Sequence, residues 1–235
     1  MESLILSASY AFMPNLLGYC GKQSFFPALK AGNKPQLRSE LKEFTAHYAY
    51  LKLIASCNSR KPFDSKVVEA FWIGNSLLEN VGKRDIAATF ADFNRKGAIS
   101  RKRTKELISG IPEDAVPHHS FHVLYVNSLS GVLKAETRKL DKCRVSWGKV
   151  ISTGNKSATV LYRPLKGKKG NYSFGKERKK RILTSWQEYS PLKDIHKGDT
   201  ITFHWDFAVQ KIGKEKALLE KYTLRNINAV NSSFS

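Results

Sequence analysis

Cysteine is scarce in this 235-residue chain, with three residues, Cys20, Cys57 and Cys143. The number is odd and no short spacing pairs them. That excludes a disulfide framework and a Cys-x-x-Cys zinc clasp, and it suits a reducing compartment. Long apolar runs are absent too, so no segment is expected to cross a bilayer. The first residues, Met1-Glu2-Ser3-Leu4-Ile5-Leu6, carry no basic leader, and Ser7, Ser9 and Pro14 interrupt the apolar run after them. No secretory signal is predicted, and the expected location is the cytoplasm. Acidic residues are few: 20 Asp and Glu face 40 Lys and Arg, a formal charge of +20. A surplus of that size attracts polyanions or acidic protein surfaces, so nucleic acid is one expected partner, and a solvated lysine-rich surface is the plain alternative. No phosphate-cradling glycine loop, serine-nucleophile elbow or internal repeat is present, and the chain is not expected to be an enzyme.

What is present divides in two, and the fold class expected is α+β. Residues 1–138 read as a helical domain of unassigned role. Leu41, Phe44, Tyr48, Leu51 and Ile54 recur at helical spacing within 36–58. A second stripe, from Val67 to Val81, follows Asp64-Ser65, either of which could cap it. Further helices are expected near 83–95 and 101–109. Ahead of them, Tyr10 to Gly21 is rich in aromatics and turn formers. Residues 139–235 read as a small OB-like β-barrel. Strands are expected at Cys143–Ser152, Ala158–Arg163, Arg178–Trp186 and Thr200–Val209, with a hairpin at Thr153–Lys156 and a short helix near Leu218–Tyr222.

Three groups of residues could carry chemistry. Cys143 lies between Lys142 and Arg144, cations that favour a thiolate, and a late strand carries His204. In an OB-like barrel the first strand pairs with a late one, so the two could meet as ligands for a soft or borderline metal. The alternative is a small apolar strand residue and a satisfied barrel histidine. His118, His119 and His122 form a secondary candidate metal cluster, with His118 and His122 on one face if the segment is helical. Lys168, Lys169, Lys179, Lys180 and Arg181, interleaved with Tyr172 and Phe174, could bind a polyanion such as single-stranded nucleic acid, or be a solvated loop.

Two blocks in the second half resemble a known family. Cys143-Arg144-Val145-Ser146-Trp147-Gly148-Lys149-Val150 is similar to the opening of the HypC/HupF hydrogenase-maturation chaperones. Gly198-Asp199 leading to His204 and then Phe207-Ala208 is similar to their second block. The resemblance spans roughly residues 143–223. It implies an OB-like fold and an accessory role in maturing nickel–iron hydrogenases. Cys143 and His204 would sit at a transiently held Fe(CN)2(CO) group. Cys143, Gly148 and Lys149 would face a partner, either a HypD-type scaffold or the large-subunit precursor. Two departures stand out: the family cysteine is at or next to the mature N-terminus whereas Cys143 is internal, and Trp147 replaces the family proline. The Tyr10–Gly21 segment with Pro117-His118-His119 resembles an uncharacterised family of small prokaryotic proteins, which implies no activity.

Overall fold

Backbone geometry at two proline- and turn-bearing places decides where the important side chains end up. The structure is a computed structural model, described here for residues 1–95, 97, 99–130 and 136–234. It is mixed α and β, with helices ahead of a small sheet. The helices are α1 Ser3–Leu16, α2 Phe25–Lys30, α3 Lys34–Lys42, α4 Thr45–Ser56, α5 Ser65–Trp72, α6 Lys83–Arg95 and α7 Arg101–Ser109. Then come α8 His119–Phe121, a π-helical turn His122–Val126, α9 Asn127–Ser130 and α10 Thr137–Cys143. The strands are β1 Ser146–Gly154, β2 Ser157–Tyr162, β3 Leu165–Lys168, β4 Asn171–Phe174, β5 Arg178–Leu183, β6 Thr200–His204 and β7 Phe207–Lys211, and α11 Glu215–Ser232 closes the chain.

Tyr10–Gly21, expected to be turn-rich, is helical up to Leu16. α1 is buried over most of its surface, through Leu4, Ala8, Tyr10, Phe12 and Met13 among others. A helix apolar on all sides carries no amphipathic stripe, which is why periodicity does not reveal it. The segment 36–58 is two helices rather than one. Phe44 is extended (ψ 89°) at the N-cap of α4 and drives its ring against Phe25. Asp64 caps α5 by accepting from the Lys66 N–H at 2.8 Å, as one of the two expected alternatives required.

The expected strand at Thr200–Val209 is a hairpin, β6–β7, because Trp205 and Asp206 both adopt positive φ (51° and 62°). Consecutive left-handed residues make the tight primed turn that suits a twisted ribbon. The β1–β2 hairpin turns at Asn155-Lys156, with Gly154 opposite Ser157. Five strands run in the sheet order β1-β2-β5-β7-β6, and β6 returns to pair antiparallel with β1. Val150, Val160, Tyr162, Ile182, Ile201 and Phe203 fill the space they enclose. The basic segment after β2 holds a separate hairpin, β3–β4.

A larger apolar cluster runs from Leu4 to Val230 and draws on both halves of the chain. α11, 18 residues long, is the reason it continues past the sheet. Its Asn226 accepts from the Val116 N–H at 3.0 Å and donates to Val116 O and Ser120 Oγ. Among the described residues no helix is long and apolar enough to cross a membrane.

Candidate metal centre

Cys143 is the last residue of α10, not the first of β1, and this placement changes its chemistry. α10 is anchored by a buried pair: Arg144 Nε donates to Asp141 Oδ1 at 3.1 Å, and Asp141 also accepts from Leu165 N–H and Tyr162 Oη. The two cations expected to favour a thiolate are both engaged elsewhere, Arg144 with Asp141 and Lys142 with Asp206 at 3.1 Å. Burial pushes the Cys143 thiol up to about 12, and nearby Cys20 adds to the rise. The indole N–H of Trp205, buried without another partner, works against that shift. A free Cys143 is therefore a thiol, and only a bound cation would make it a thiolate.

His204 ends β6, and its ring is fixed by a proline near the end of α1. Pro14 has no N–H to give to the carbonyl four residues earlier, so Tyr10 O is free inside α1. His204 Nδ1 lies 2.6 Å from that oxygen. A carbonyl only accepts, so Nδ1 carries the proton and Nε2 is bare. His119 is fixed in the same way from the other side. The carbonyl of Cys143, orphaned at the end of α10, lies 2.8 Å from His119 Nε2, which leaves Nδ1 bare. Both of these nitrogens are buried and neither makes a well-formed hydrogen bond, although the Cys143 carbonyl also lies near the His204 ring. Burial, the largest cause in each case, pushes His204 down to about 4 and His119 well below its ordinary value, so both rings are neutral near pH 7.

One ring nitrogen of each histidine and the Cys143 sulfur form a group whose ligand atoms all lie within 4.8 Å of one another. All three residues are buried. Cys143 and His204, expected as a pair, are brought together, and His119 of the secondary cluster joins them. The other two members of that cluster separate. His118 caps α8: its Nδ1 accepts from the Ser120 N–H, and its Nε2 meets Trp72 O at 3.3 Å. His122 opens the π-helical turn and lines the cavity beside the centre, with Nδ1 unpartnered. A π turn is wider than an α turn and recurs where helices carry function.

The cavity measures about 360 Å³ and is walled mainly by aromatic side chains, including Phe44, Phe71, Trp72 and Phe93. Cys20 and Gly21 lie at its edge, and Tyr19 stacks on Trp205 with centroids 4.4 Å apart. The Asn15 side chain holds this loop by donating to Cys20 O and Lys22 O. His47 also lines the cavity. It carries no motif and stands alone on the buried face of α4, so nothing in its sequence surroundings points to it.

The remaining candidates lie away from the centre. Gly148 is in β1, and a Cβ there would sit 2.7 Å from Leu161 O, so close strand packing accounts for the glycine. Lys149 is exposed on the same strand. Lys168 and Lys169 flank the β3–β4 turn, and Lys169 lies over the Phe234 ring. On β5, Lys179 and Arg181 are exposed, while Lys180 turns inward to Asp206 at 2.5 Å.

The chain belongs to DUF6390, a family of unknown function, whose model covers residues 3–235. No curated protein and no solved structure matches it.

Proposed function

We propose that this member of DUF6390 is a non-enzymatic metal-handling protein. It holds a transition-metal ion or metal group at His119, Cys143 and His204 and, in the manner of the HypC/HupF chaperones it resembles, presents it to a hydrogenase-maturation partner. One observation carries the reading: two buried imidazoles, each with one nitrogen on a backbone carbonyl, stand beside a buried cysteine, with ligand atoms of all three within 4.8 Å of one another. A ring that donates one nitrogen to a carbonyl and offers the other is the usual support of a metal-bound histidine. Two nitrogens and one sulfur suit a soft or borderline ion such as iron, zinc or copper.

Two further points support the likeness to that family. The sheet order β1-β2-β5-β7-β6, with β5 and β7 parallel and β1 and β6 antiparallel, is the order of an OB-like barrel. Residues 143 and 204 stand together, as the resemblance implies for the family's cysteine and histidine. Where the family has a chain terminus beside its cysteine, this chain has α8, and His119 supplies a nitrogen that an internal cysteine cannot get from a terminal amine. The cargo on this reading is an Fe(CN)2(CO) group, and the partner is a HypD-type scaffold or a large-subunit precursor.

The test is metal analysis of the purified full-length protein together with affinity purification against hydrogenase-maturation proteins. About one metal per chain is expected, falling at least tenfold in Cys143→Ser and in His204→Ala. Recovery of a maturation partner should fall in Cys143→Ser. Stoichiometric metal in a variant lacking all three ligands would overturn the metal site. Metal without any maturation partner would overturn the carrier role and leave the site standing.

A further inference from the structure

The three-ligand centre has an electrostatic deficit that its own residues do not fill, and this inference rests on the metal reading above. A divalent ion that brings no anions of its own, held by one thiolate and two neutral imidazoles, carries a net charge of +1; an Fe(CN)2(CO) group, with its own cyanides, has no such deficit, so the inference concerns the simple ion. Charge of that kind in an aromatic-walled cavity is costly unless it is neutralised. The carboxylate lining the cavity is that of Glu43, which is half-exposed and paired with Lys22 at 3.1 Å. No other described lining residue is acidic.

The opposite wall carries an unused donor. Trp72 Nε1 can only donate, and it meets Ser7 Oγ at 3.4 Å. Ser7 Oγ lies 2.7 Å from His47 Nε2. The serine hydrogen has no other acceptor among the described residues, so it is directed to His47 Nε2. The ring, which lines the cavity, then holds its proton on Nδ1, a buried nitrogen with no partner. His47 is 7% exposed. Trp72 packs against both rings, with centroids 5.4 Å from His47 and 4.6 Å from His119. Trp205 Nε1, beside the Cys143 sulfur, is a second buried donor with no oxygen or nitrogen acceptor.

We propose that the open position of the metal takes a small exogenous monoanion, a pseudohalide or short carboxylate, whose far end accepts from His47 Nδ1–H. The anion completes the charge, and the unpaired donor becomes satisfied. The competing occupant is the Cys20 thiolate, at the cavity edge. Cys20 is exposed and stands outside the group of ligand atoms within 4.8 Å, whereas an anion also accounts for the donor on His47.

The experiment uses the full-length protein loaded with Co(II) and titrated with sodium azide, following the visible ligand-field and thiolate-to-cobalt bands. A saturable change is expected in the wild type. Azide affinity should fall at least tenfold in His47→Phe while Co(II) affinity stays within threefold. Ser7→Ala, which releases the His47 tautomer without removing the ring, should weaken azide several-fold and serves if His47→Phe does not fold. Cys20→Ser should titrate as the wild type does. Stoichiometric Co(II) with no response to azide would overturn the proposal and leave the metal site intact. So would unchanged azide affinity in both His47→Phe and Ser7→Ala. An azide response that appears only in Cys20→Ser would assign the position to Cys20. Failure to bind Co(II) at all would overturn the metal reading, and this proposal with it.

Discussion

Cys143 and its two histidines differ in what they must lose to bind a metal. Each histidine already has one nitrogen on a backbone carbonyl and is already neutral, because burial pushes His204 down to about 4 and His119 well below its ordinary value. Cys143 is a thiol, held near 12 by burial, and must release a proton. Affinity for a divalent ion should thus climb with pH by about tenfold per unit, the signature of a single displaced proton. Competition titrations with zinc between pH 6.5 and 8.5 should show a slope of about one, and Cys143→Ser should be nearly flat as well as weaker. A slope near two would mean that a second group ionises and that the assignment of the proton to Cys143 is wrong. The cysteine–histidine pairing was legible in the sequence, since both residues lie in blocks similar to one family. The thiolate was not: Lys142 and Arg144 flank Cys143 in sequence, but their charges are taken up by Asp206 and Asp141. Adjacency along the chain says nothing about where long side chains find their partners.

At the scale of elements, the centre depends on carbonyls that helices cannot use. Pro14 frees Tyr10 O, and the end of α10 frees Cys143 O. Replacing Pro14 by alanine would restore a backbone N–H able to reach Tyr10 O and compete with His204. Metal affinity should then drop by about tenfold to a hundredfold, the usual effect of losing a supporting bond. The melting temperature should hold or rise, since a proline inside a helix costs about 3 kcal/mol. Unchanged zinc affinity in Pro14→Ala would show that the Tyr10 contact does not set the ring. Gly148→Ala tests the other element-level point. Its Cβ would meet Leu161 O and Val160, so a loss of about 1–3 kcal/mol is expected in urea unfolding, with no direct effect on the centre. The β-half was largely readable because alternation and turn residues are local signals. α1 was not, because a helix buried on most sides has no polar face to set a period, and the Trp205-Asp206 turn was hidden because a bulky tryptophan seldom adopts positive φ.

Over the whole molecule, four histidines are buried, His47, His118, His119 and His204, and His122 is half-buried. All have pKa values pushed down by burial, to about 3 for His47 and about 4 for His118, His122 and His204. An unfolded chain returns each to about 6.5. Between the two values the unfolded state binds more protons than the folded one, so stability falls as pH drops below 6.5 and is unaffected by these groups above it. Each contributes up to about 1.4 kcal/mol per pH unit. The depressed carboxylates, Asp206 and Asp199 among them, lose their contribution only at lower pH, so the window from pH 6.5 to 5 belongs to the histidines. These rings lie in the apolar cluster shared by both halves, or against it, so one cooperative transition should report them together. Urea unfolding of the metal-free protein at pH 7.5, 6.5, 5.5 and 5 should show a level region and then a steep decline approaching several protons taken up. His122→Phe should reduce that proton count by about one without touching the proposed ligands. Bound metal should raise it by about one, because the two histidines are neutral with or without the ion, whereas a metal-held Cys143 thiolate takes up a proton on unfolding. Stability that stays level to pH 5 would mean that the imidazoles reach water in the folded protein, and with that the dry cavity on which the metal site and its anion both depend would be lost.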